Sequence, residues 1–326
     1  MAASRERWGE VCGPGVHRAL ARSSLELPIG LGRPIRHFLS SWGHAELDLR
    51  DFQFWQAGQG LSVPRPALDD WLLAETARAG VTVLNGCRPV RCEARNGGWW
   101  LEIRGGDRTV ELQAAFIVEA TGRNARSLVQ SDAARLYVDR LVCLSIMTER
   151  HPSLEDAAIV EACAEGWWYA APTPDGRQVA ALFTDADRVT NRAHTDLMLS
   201  ALHGTNHVRQ FVTLQRDAVL RTSNARTSVR NILWRDKWLA IGDAAWFLDP
   251  LSGTGIERAI DDGNSAAPAI ADALAGDCEA LRRHALGRAK EFQEAIATQQ
   301  RFYASERRWR NEDFWLRRAS ARTEES

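Results

Sequence analysis

The chain has 326 residues, of which 45% are apolar and 25% charged, and a formal net charge of −1. That length can bury one large or two moderate cores, and the composition is that of a soluble globular protein, which excludes a small module, a disordered chain and a fibre. A near-zero charge gives no long-range pull toward nucleic acid or an anionic membrane, residues 1–15 hold no apolar leader, and no run reaches the ~18 apolar residues of a membrane span; small-molecule or protein partners and a cytoplasmic location are expected.

In chain order, Gly13-Pro14-Gly15 opens a short helix over Val16–Arg22. Phe52–Val63, with Gly58 and Gly60, reads as a strand or strand pair near a turn. Pro66, Leu68, Trp71, Leu72 and Ala79 mark one face of a helix that stops at Gly80. Val81–Leu84 then predicts a buried strand, and Arg91–Ala94, Trp99–Ile103 and Thr109–Leu112 a meander split by Asn96-Gly97-Gly98 and Gly105-Gly106-Asp107. Ala115–Ala120 is a central-strand pattern ending at Thr121-Gly122. Strand patterns at Val138–Met147, Ala158–Cys163, Trp167–Ala171 and Val179–Phe183 predict an antiparallel sheet. A helix over Leu197–Leu214, a strand over Trp238–Ile241, a helix over Ile256–Leu274 and a continuous helical tail over Cys278–Ala321 complete the reading.

The six cysteines have no Cys-x-x-Cys or Cys/His grouping, so no zinc site is expected. Chemistry concentrates instead at Gly242-Asp243-Ala244-Ala245 and Asp249-Pro250-Leu251-Ser252-Gly253-Thr254-Gly255, which separate a short buried strand from a helix. The strand delivers Asp243 to a sheet edge, where its carboxylate can accept hydrogen bonds from sugar-like hydroxyls. Gly253 and Gly255 let a ligand approach the backbone, and the free N–H groups at the following helix start favour negative charge.

This string resembles the Gly-Asp motif of class A flavoprotein monooxygenases and the related flavin-dependent halogenases. Glu119-Ala120-Thr121-Gly122-Arg123 resembles their Ala-Thr-Gly motif, and Arg65 in Val63-Pro64-Arg65-Pro66-Ala67-Leu68-Asp69 resembles their arginine at a helix start. Gly166-Trp167-Trp168-Tyr169-Ala170-Ala171-Pro172, Leu182–Asp187, Glu306–Trp309 and Phe314-Trp315 are similar to the halogenase-like branch that includes maturases modifying tryptophan in quinone-cofactor proteins.

The resemblance implies an α/β fold. A three-layer ββα FAD-binding domain would comprise 1–40, 61–125 and 232–276, an antiparallel-sheet substrate domain 41–60 and 126–231, and a helical region 277–326. It implies FAD as cofactor, held by Arg65, Thr121, Gly122, Gly242, Asp243, Pro250, Ser252, Gly253, Thr254 and Gly255, with NAD(P)H or a separate flavin reductase supplying electrons. Trp42, Phe54, Trp167, Trp168 and Trp246 are the candidate substrate pocket. The activity implied is hydroxylation of a small or peptide-borne aromatic ring through a flavin hydroperoxide; a halogenase, an isoprenoid-chain reductase, and an inactive remnant or docking partner are the alternatives.

Two departures qualify the pattern. The Gly-x-Gly-x-x-Gly unit that holds the pyrophosphate in such folds is absent from these residues, and upstream coding sequence is expected to supply it. Halogenases of this type use a lysine placed ahead of the Arg65 region, whereas the only lysines here are Lys237 and Lys290. The Trp-x-Trp-x-Ile-Pro pattern of those enzymes is also replaced, by Trp167-Trp168-Tyr169-Ala170-Ala171-Pro172.

Overall fold

A computed structural model describes residues 10–52, 58–123, 127, 129, 132–190 and 194–319. Its helices are α1 (Gly15–Ala21), α2 (Arg65–Arg78), α3 (Ala186–Thr190), α4 (His194–His203), α5 (Val208–Phe211), α6 (Gly255–Leu274), α7 (Cys278–Ser305) and α8 (Asp313–Ala319).

A seven-stranded sheet dominates, with spatial order Arg221–Asn224, Leu141–Glu149, Arg177–Asp185, Gly166–Pro172, Ala157–Cys163, His37–Ser41 and Asp48–Asp51. The four predicted strands all lie in it. Each pair is antiparallel except Ala157–Cys163 with His37–Ser41, which run parallel. The sheet is covered on both faces, because adjacent side chains in a strand point to opposite sides. Trp168, Leu144, Ile146 and Leu182 bury one face against Leu197, Met198 and Ala201 of α4. Trp167, Phe183 and Leu141 bury the other against Tyr303 of α7 and Phe314 and Trp315 of α8.

A second body has three layers. The short parallel pair Ile117–Glu119 and Trp238–Ala240, with Trp234–Arg235 antiparallel to the latter, forms its middle. Trp238 and Ala240 cluster with Trp99 and Leu101 of the meander Cys87–Arg95, Gly98–Gly105 and Arg108–Ala114. Leu239, pointing the other way, clusters with Ala266 and Ile270 of α6. This is the expected ββα layering.

Four sequence readings are corrected. Val81–Leu84 is not a strand: Val81 and Leu84 are exposed, and no strand among the described residues offers them a ladder. The 115–120 run narrows to Ile117–Glu119 and lies at one edge of its sheet rather than at the centre. The helix expected over Leu197–Leu214 ends at His203, where Gly204 follows and a short turn of helix resumes at Val208. The tail is not continuous. It breaks at Glu306, whose buried carboxylate accepts from Gly43 N and Arg308 and turns the chain before α8.

Candidate functional site

The parallel strands Ile117–Glu119 and Trp238–Ala240 end in register, with Glu119 opposite Ala240, and Ile241 N donates to Glu119 O (3.0 Å). Their C-terminal ends therefore bring Thr121-Gly122 and Gly242-Asp243 to one edge, the usual place for ligands in α/β sheets. Gly122 (φ 76°) and Gly242 (φ 57°) both take left-handed conformations, which lets each strand turn sharply away at that edge.

From there the chain runs to Asp249, whose side chain accepts from Leu251 N (3.2 Å) and starts a 3₁₀ turn over Pro250–Ser252. Gly253 (φ 65°) reverses direction and α6 begins at Gly255. A Cβ on Gly253 or Gly255 would meet nothing within 4 Å, so this backbone is bare on its outer side. The side chain of Thr254, at the N-cap, does not cap the helix and pairs with Ser252 Oγ instead (3.0 Å). The first amides of a 20-residue helix thus face outward without a side-chain acceptor, and the helix dipole adds positive potential there. Such a cradle suits an anionic or electron-rich planar edge.

Asp243 stands beside it, bonded to Arg258 of α6 (3.1 Å), and Gly242 N donates to Asp262 (2.6 Å). The Arg258 guanidinium also lies 4.0 Å from the Trp246 ring centroid, and burial lowers its pKa. Arg65 opens α2, where it bonds Asp69 (2.8 Å) and Glu10 (3.1 Å). Leu68, one turn on, shares a cluster with Cys12, Val16 and Ile256, so the starts of α2 and α6 converge.

The candidate pocket aromatics do not converge. Trp42 and Trp167 share the sheet face that also holds Phe38, Tyr169 and Leu251 of the Pro250–Ser252 turn. Trp168 is fully buried on the opposite face, as strand alternation requires, and Trp246 belongs to the core of the three-layer body. Phe54 lies outside the described residues. Trp168→Ala is therefore expected to act on stability alone, costing about 3–5 kcal/mol in chemical denaturation. A loss of ligand binding without loss of stability would return Trp168 to the pocket.

The sequence reading missed three buried polar residues. Glu119 receives Arg230 Nη2 (2.6 Å) and Thr121 Oγ1 (3.1 Å), and Arg230 also donates to Ala244 O (2.7 Å), tying both turns at the edge together. The acid inside an otherwise apolar strand was a visible signal for Glu119. Arg230 had none. Asp249 stands in the motif string itself, but local sequence assigns it no role of its own.

A protein-family model described as tryptophan halogenase matches residues 56–326. The chain belongs to the tryptophan halogenase family. It is a flavin-dependent oxidoreductase of the halogenase and hydroxylase group. Among relatives, it is 27% identical over 298 residues to the putative FAD-dependent oxidoreductase LodB of Marinomonas mediterranea, covering 86% of this chain and 76% of LodB. Its fold is similar to the peptidyl tryptophan dihydroxylase QhpG, essential for tryptophylquinone cofactor biogenesis (TM-score 0.77, 24% identity, 96% of this chain and 70% of that one). It is also similar to the myxobacterial chondrochloren halogenase CndH (TM-score 0.81, 22% identity, 98% and 79%). No described helix is long and apolar enough to cross a membrane.

Proposed function

We propose that this family member hydroxylates an electron-rich aromatic ring, an indole carried by a small molecule or a peptide, using FAD reduced by NAD(P)H or by a separate flavin reductase. The carrying observation is the placement of the lysines. Lys237 sits in a surface hairpin, where its ammonium bonds Gly97 O, and Lys290 is 77% exposed on α7 beside Glu294. Neither reaches the aromatic sheet face, which supports oxygen transfer over a lysine-relayed halogenation.

The residues fit the ring end of FAD. The bare Gly253 and Gly255 backbone and the uncapped amides of α6 would hold the ring edge that becomes negative on reduction. Asp243, still 30% exposed, would accept from the ribityl hydroxyls, with Gly122 allowing close approach at the same edge. Arg65 would meet the cofactor at the start of α2. Reduced FAD, when bound, supplies the activation of dioxygen. Phe38 and Tyr169, the partly buried aromatics of this face, would meet the substrate ring, and the packed Trp42 and Trp167 behind them would exclude water. We place the working protein in the cytoplasm.

Asp243→Ala removes a charged acceptor worth about 1.5–3 kcal/mol, so FAD affinity is expected to fall about 10- to 100-fold in a fluorescence titration. The reaction itself is tested with FAD, NADH, a flavin reductase and a tryptophan-containing peptide under isotopically heavy dioxygen in chloride buffer. Mass spectrometry should find one heavy oxygen in the product. A chlorinated product, or an unlabelled one, would reject the proposal.

A further inference from the structure

A hydrogen-bond chain joins the aromatic sheet face to the Pro250–Gly255 loop. Trp167, stacked on Phe183 with ring centroids 3.8 Å apart, donates through Nε1 to the phenol oxygen of Tyr303 (2.9 Å). Tyr303 donates to Asp249 Oδ2 (2.6 Å), and Asp249 Oδ1 accepts from Leu251 N (3.2 Å), the bond that starts the 3₁₀ turn. All three side chains are buried. Trp42 packs edge-on against the Tyr303 ring (5.7 Å). A buried phenol could have been satisfied by any carbonyl; this one is spent on a carboxylate two residues ahead of the loop's first bonded amide.

Burial is the largest influence on Asp249 and pushes its pKa up to about 6; the Tyr303 bond opposes that rise. The groups facing it are Tyr303 and Gln299 from α7, Asp139 from the segment ahead of the Leu141–Glu149 strand, and Thr227, whose hydroxyl accepts from Asp249 N. Asp139 raises the pKa further, and Arg318 of α8 lies over the Tyr303 ring (5.2 Å).

We propose that Tyr303 is a positioning residue that sets the Pro250–Gly255 loop through the ionised carboxylate of Asp249, so that packing on the Trp42/Trp167 face and the loop's grip on the flavin are coupled through α7. This rests on the reading that the loop holds FAD.

Tyr303→Phe keeps the ring among Trp42, Phe314 and Trp315 and deletes the hydroxyl, which removes the donor to Asp249 and the acceptor of Trp167 Nε1. FAD is titrated against wild type, Tyr303→Phe and Asp249→Asn from pH 5 to 8.5. Wild-type affinity should weaken as pH falls through about 6. Without the phenol donor the carboxylate is harder to ionise, so the Tyr303→Phe midpoint should rise by about one pH unit, with roughly twofold weaker binding at neutral pH and a deficit approaching about 10-fold near pH 5. Asp249→Asn should show no transition in that range.

An unmoved midpoint in Tyr303→Phe, with only a lower Tm, would mean that Tyr303 merely fills space and would overturn the proposal. If wild type binds no FAD at any pH, the cofactor reading of the loop fails on its own. The coupling is then read from the apoprotein. Because the folded pKa of Asp249 lies above its unfolded value, its contribution to stability is fully present below about pH 4 and is lost as pH rises toward about 6. Tyr303→Phe should extend that loss upward by about one unit; superimposable pH–stability curves would sink the coupling as well.

Discussion

Arg230→Met is expected to destabilise the folded chain by about 3–5 kcal/mol, because it strands the Glu119 carboxylate in the core. Arg230 and Glu119 side chains are 2% and 5% exposed and meet at 2.6 Å. Taking two charges out of water costs several kcal/mol for each, and their attraction offsets this only while both are present. Deleting one leaves the other unpaired. Replacing both, as Arg230→Met with Glu119→Leu, should therefore cost less than Arg230→Met alone, although Thr121 then loses its acceptor. Urea denaturation of the two single variants and the double gives the coupling. If Arg230→Met cost under about 1 kcal/mol, the pair would not be holding the two turns. The same substitution removes one of the two guanidinium donors to Ala244 O and leaves only Arg135 there, so the Gly242–Ala244 turn should loosen and FAD affinity fall with stability.

Gly255→Val should separate binding from folding. Gly255 opens α6 with no positive φ, and an added Cβ would meet nothing within 4 Å. Valine costs a helix only a few tenths of a kcal/mol relative to ordinary residues, so the variant should fold with a stability within about 1 kcal/mol of wild type. Its side chain would fill the space reserved for the ring edge and interfere with the amides there. FAD affinity should drop by about two orders of magnitude, a loss near 3 kcal/mol. Affinity within about threefold of wild type would show that the flavin does not lie on this backbone. Gly253→Val would be a poorer test, since φ of 65° adds a strain penalty to the folded chain itself.

The sequence is most informative where local chemistry decides structure. A pattern of Pro66, Leu68 and Leu72 ending at Gly80 suffices for α2, and Gly97 and Gly106, both at positive φ, mark the meander turns. The strand–glycine–aspartate–helix string is likewise legible, because its turns need residues with special backbone freedom. What depends on distant partners is not. Val81–Leu84 has strand composition and no ladder among the described residues, while the helical composition of 303–312 is overruled by the bonds of Glu306 to Gly43 and Arg308. Trp167 and Trp168 are adjacent in sequence and serve opposite faces of one sheet, a division that parity predicts only once the strand is known. Arg230 carries no local mark, since its role exists only across the 111 residues separating it from Glu119.

The cover over the Trp42/Trp167 face also dictates when the molecule can finish folding. Trp42 Nε1 donates to Phe302 O, Arg308 reaches Ser41, and Trp315 Nε1 donates to Cys163 O. Each contact joins a segment to one synthesised at least 152 residues later, and such high contact order slows folding. During synthesis the seven-stranded sheet can pair its strands, yet its aromatic side stays bare until residues beyond 300 emerge. A nascent chain with that surface open is prone to aggregate and to engage chaperones. Expression yield should therefore respond more steeply to lesions in α7 and α8 than to lesions of equal thermodynamic cost elsewhere in the sheet.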